Sequence, residues 1–76
     1  MNNKKLIEVF ATALAIDAER INAELTYNSI PEWDSTSHMI LIAEIETQFD
    51  VMLDTDDIIE MNSVAKAESI LAKYLG

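Results

Sequence analysis

The sequence predicts an all-α bundle of three longer helices and one short third helix. Three observations carry that expectation: apolar residues recur at three- and four-residue spacing in separate segments, helix-capping residues stand immediately before the later segments, and no stretch shows strand-like alternation. With 76 residues and no cysteine, the chain has material for one core and no disulfide to staple it. A single domain over residues 1–76 must therefore be held by helix packing.

Leu6, Ile7, Phe10, Ala13 and Leu14 define an amphipathic first helix from about Lys4 to Ala15. Lys4 and Lys5 ahead of this run loosely imitate a secretory signal. Glu8 argues against one, because it would place a charge inside the signal core, whereas on a helix it points away from the apolar residues. Residues 17–34 form a long irregular segment. Asn22, Asn28, Ser29 and Pro31 discourage a continuous helix there, while Ile21, Leu25, Tyr27, Ile30 and Trp33 fold the segment back onto the core. Loops of this length in a compact domain are often functional.

Leu41, Ile42, Ile45 and Phe49 make the apolar stripe of the second helix, with Glu44 and Glu46 off it. Asp34, Ser35 and Ser37 are all suitable caps for its start, and the choice among them is open. Asp54 or Thr55 caps a short third helix through about Glu60, carrying Ile58, Ile59 and Met61. Ser63 caps the last helix, in which Val64, Ala67, Ile70, Leu71 and Tyr74 share a face that ends before Gly76.

Five basic residues against 14 acidic ones give a net charge of −9, and no lysine or arginine lies between Arg20 and Lys66. The middle of the chain thus projects a negative field. Nucleic acid is excluded as a partner, because phosphate backbones need cations. The natural complements are basic protein surfaces, although composition alone is equally served by an acidic surface kept for solubility. No run approaches the roughly 20 apolar residues that span a bilayer. The expected protein is a cytoplasmic monomer.

Asp34, Ser35 and His38 are the one constellation suggestive of nucleophilic catalysis. Helix geometry makes it weak, since a triad needs its acid behind the histidine and a sheltered oxyanion hole. His38 reads as a surface helix residue. The aspartates from Asp50 to Asp57 suggest calcium, but the EF-hand spacing fails: a loop starting at Asp54 puts Ile59 at the glycine position and Ala65 at the bidentate glutamate position. Weak cation binding that relieves repulsion remains open, with no dedicated metal site. Ser35 stands at a helix start, where the positive end of the helix favours an anion by about 0.3–1 kcal/mol. Local physics permits a phosphoryl group there; a plain helix cap is the simpler account.

The segment Trp33-Asp34-Ser35-Thr36 running through His38-Met39 to Glu46-Thr47-Gln48-Phe49, then Asp54 to Ile58 and Ser63-Val64, resembles the acyl carrier protein family, in the family's order and spacing over nearly the whole chain. The resemblance implies a non-enzymatic carrier with a four-helix bundle. It implies that Ser35 is esterified with 4′-phosphopantetheine taken from coenzyme A by a phosphopantetheinyl transferase, and that the prosthetic thiol holds acyl or aminoacyl groups as thioesters. Implied partners are that transferase, an acyl- or aminoacyl-loading ligase, and downstream enzymes with basic docking patches. The implied partner surface comprises Asp34, Thr36, Met39, Ala43, Glu46, Asp56, Asp57 and Glu60; ordinary core filling is the competing role for Met39, and a plug over the core for Trp33.

Three positions depart from the family's usual pattern: Thr36 replaces a leucine, Ile40 falls where fatty-acid carriers tend to have an acidic residue, and Ser37 falls where many have aspartate. These departures point to a stand-alone carrier of a specialised biosynthetic pathway. The alternative is an acidic helical interaction module that keeps the fold and carries nothing.

Overall fold

Helix α1 (Lys4–Leu14) forms where Leu6, Val9, Phe10, Ala13 and Leu14 share one face, and all five are buried. The computed structural model describes residues 4–75. α1 stops one residue before the expected end because Ala15 turns left-handed, with φ 56°, and the Ile16 N–H returns to the Ala11 carbonyl at 3.1 Å. That Schellman-type closure satisfies a carbonyl the helix would otherwise leave open. α2 (Ser35–Phe49) ends by the same device at Asp50, with φ 53° and the Val51 N–H donating to Glu46 O. α3 (Thr55–Glu60) is six residues long, and α4 (Val64–Leu75) closes the chain.

The segment between α1 and α2 contains a single 3-10 turn, Ala18–Arg20. It is strapped to the start of α4: the Tyr27 N–H donates to Asn62 O at 2.8 Å, and the Val64 N–H donates to Leu25 O at 3.0 Å. Such bonds answer the backbone accounting that a long loop otherwise fails. Its far end delivers Trp33 into the core with no exposed surface, edge-on to Phe10 at 5.3 Å between ring centroids. Trp33 is thus a core plug, and full burial of a side chain that size contributes about 1.5–3 kcal/mol or more.

α1 packs along α2, and Leu6, Phe10, Leu41, Ile45, Met61 and Leu71 are fully buried with Trp33 in one core cluster. Several expected core residues differ: Ile7, Leu25, Ile30, Ile58 and Tyr74 pack only partly buried against the core, and Tyr27 is exposed. Phe49 is only partly buried, with Lys5 Nζ 5.0 Å above its ring. Ile59 is 72% exposed, and Met61, just past α3, takes the interior position instead. α3 is too short to bury a full stripe, so one of its two adjacent isoleucines must face outward. Among the described residues, no helix is long and apolar enough to cross a membrane.

Candidate functional site

Asp34 is the cap of α2. Its backbone is extended and its Oδ1 accepts the Ser37 N–H at 2.9 Å, which resolves the choice among the three candidates. That bond holds the Asp34 carboxyl below its ordinary range, the anion being favoured by the backbone donor it faces. Ser35 consequently becomes the first helical residue, with its side chain exposed. The Ser35 hydroxyl makes no hydrogen bond among the described residues.

Beside Ser35 opens a cleft of about 340 Å³, small for a ligand site. α2 contributes Ser35, His38 and Met39; α3 contributes Ile58 and Ile59; Tyr27 comes from the strapped loop, and Met61 and Asn62 from the α3–α4 junction. The walls are predominantly apolar. Met39 and Ile59 stand at its rim, 58% and 72% exposed, which excludes core filling for Met39.

His38 corrects the expectation of a surface helix residue. Its ring is partly buried, near-parallel to the Trp33 indole with 6.2 Å between centroids, and edge-on to Tyr27. Trp33 Nε1–H donates to His38 Nδ1 at 3.1 Å, and His38 Nε2 lies 2.9 Å from Ile58 O. Indole N–H can only donate, so the imidazole proton sits on Nε2 and donates to that carbonyl. Ile58 O needs such a donor. The Met61 N–H goes to Asp57 O and the Asn62 N–H to Glu60 O, leaving Ile58 O without an intrahelical partner. His38 therefore ties the loop, α2 and the end of α3 together and forms the inner wall of the cleft. With both ring nitrogens engaged, it is no base for Ser35, and the catalytic constellation dissolves.

The acidic residues divide. Asp34, Asp56 and Glu60 are exposed, as are Thr36 and Ala43. Asp57 is not part of that surface: it is 6% exposed, and its carboxylate accepts from Lys73 Nζ at 2.8 Å and from the Tyr74 hydroxyl. Lys73, then Tyr74, hold the Asp57 carboxyl below its ordinary value; the same contact pushes Lys73 and Tyr74 upward. Glu46 is also partly withdrawn, its Oε2 accepting the Leu53 N–H at 2.9 Å to brace the α2–α3 connection. Among the described residues, no group of three or more histidine, aspartate or glutamate side chains is arranged to hold a metal ion.

Tyr27, Asn62 and the bridging role of His38 were not legible from pattern. They reach the site through strap hydrogen bonds and helix ends, neither of which leaves a periodic signal. The family model described as phosphopantetheine attachment site matches residues 4–71. No curated protein matches the chain.

Proposed function

We propose, from the premise that this chain belongs to the phosphopantetheine attachment-site family, that Ser35 is the residue bearing the arm. Domains of this family carry 4′-phosphopantetheine covalently and are not themselves catalytic. The observation that supports Ser35 is its placement: an exposed, unengaged hydroxyl at the first position of α2, within the matched region and at the mouth of an apolar cleft. Those residues fit the group. In the transfer, the Ser35 Oγ–phosphorus bond forms as the bond to 3′,5′-adenosine bisphosphate breaks, and the hydroxyl proton passes to a base on the transferase. Once attached, the group supplies a thiol that holds an acyl or aminoacyl cargo as a thioester.

The chain's own part is presentation. Asp34 caps the helix start, and Ser35 stands exposed on its first turn. Exposed acid at Asp34, Asp56 and Glu60, with Thr36, Met39 and Ala43 as smaller or apolar contacts, forms a surface for basic patches on a transferase, a loading ligase and downstream enzymes. Such complexes are short-lived and weaken with salt. Thr36, Ser37 and Ile40 favour a specialised biosynthetic pathway, served in the cytoplasm by a monomeric domain.

Incubating the protein with coenzyme A and a broad-specificity phosphopantetheinyl transferase should add one arm by intact mass, and Ser35→Ala should remain unlabelled. Wild-type protein left unmodified by several transferases would sink the proposal and leave the non-carrying interaction module.

A further inference from the structure

The cleft is bounded on one side by Ser35 itself, so whatever is attached to Ser35 Oγ begins at the cleft's mouth. Resting on the reading of Ser35 as attachment site, we infer that the cleft seats the base of the arm, and that Met39 and Ile59 hold its gem-dimethyl carbon. The order of groups along the arm supports this. After the phosphate come one methylene and then a quaternary carbon bearing two methyls, the one branched apolar group in the arm. The two amides and the thiol follow further out.

Three features of the cleft match that group. Its lining is predominantly apolar, so it has little to offer a phosphate or an amide and much to offer two methyls. Its rim keeps two large apolar side chains, Met39 and Ile59, in water, where covering them gains hydrophobic stabilisation. Its inner wall is closed by the Trp33–His38–Ile58 bridge, so it is a shallow seat and not a passage into the core. Tethering at the mouth makes the contact intramolecular and raises the effective concentration of the methyls well above that of any free competitor. The thiol lies at the opposite end of the arm, so seating the base sets its direction of departure and leaves the thioester free for partner enzymes.

The test compares two arms of equal charge and length: one from coenzyme A, and one from a coenzyme A analogue whose two methyls are replaced by hydrogens. Intact mass first establishes a single arm on each protein; no mass increase with either would overturn the Ser35 reading itself, and this inference with it. With both loaded, the native arm should perturb the methyl resonances of Met39 and Ile59, and the desmethyl arm should perturb only residues next to Ser35. The native arm should also raise Tm above the desmethyl form by about 4 °C or more, the scale set by burying two methyls in a domain of this size. Ile59→Ser, at an exposed position that leaves the core intact, should erase that difference. Identical spectra and identical Tm for the two arms would overturn the inference and assign the exposed Met39 and Ile59 to a partner's surface.

Discussion

Replacing His38 by alanine tests whether one side chain holds the loop, α2 and α3 together. The substitution strips the acceptor from Trp33 Nε1, on a residue with no exposed surface, and the donor from Ile58 O. A buried N–H left without a partner costs about 1–3 kcal/mol, and a partly solvated carbonyl sits at the lower end of that range. Loss of the ring contacts with Trp33 and Tyr27 adds about 0.5–1.5 kcal/mol. Water reaching Ile58 O recovers part of this, and the net loss is about 2–4 kcal/mol. A chain of this length has about 4–11 kcal/mol of stability in all, so the change is severe. Urea unfolding followed by the fluorescence of Trp33, the one tryptophan, reads it directly. With a slope near 1 kcal/mol/M, the midpoint should fall by about 2–4 M. His38→Asn keeps an acceptor near the Nδ1 position but does not reach Ile58 O, so it should fall between wild type and alanine. A His38→Ala midpoint within about 0.5 M of wild type would refute the bridge as a stabilising element.

Asp57→Asn should flatten the acid limb of the stability profile. The Asp57 carboxyl is held below its ordinary value by Lys73 and Tyr74, so its contribution is present above about pH 4 and disappears as pH falls through the lowered native value. Thermal melts from neutral pH down to pH 2 check this; parallel wild-type and variant curves would contradict it. The partners act at the other end: Lys73 and Tyr74 are both raised, so their contribution is lost as pH climbs above about 10. Ala15→Gly should stabilise the fold by about 0.5–1 kcal/mol, because relief of the left-handed strain at φ 56° exceeds the added unfolded-state entropy. An unchanged or lower Tm would show that Ala15 sits there without strain.

The sequence by itself determined the four helices, because helical periodicity is local: Leu41, Ile42 and Ile45 announce their shared face within one and a half turns, whereas the choice of cap among Asp34, Ser35 and Ser37 waited for the fold. It also announced Trp33 as a large apolar group in a loop that had to return to the core. Only the tertiary structure decided which acids face water. Asp56 and Asp57 are neighbours of equal charge in the chain, yet one is exposed and the other is paired with Lys73 and Tyr74, 16 and 17 residues away. Only the fold could make His38 a bridge, since its two partners are the indole of a loop residue and a carbonyl 20 positions on. The cleft beside Ser35 belongs to the same class. Its walls come from a loop, two helices and a helix junction, and an interaction between segments far apart in sequence leaves no mark on the local pattern of either.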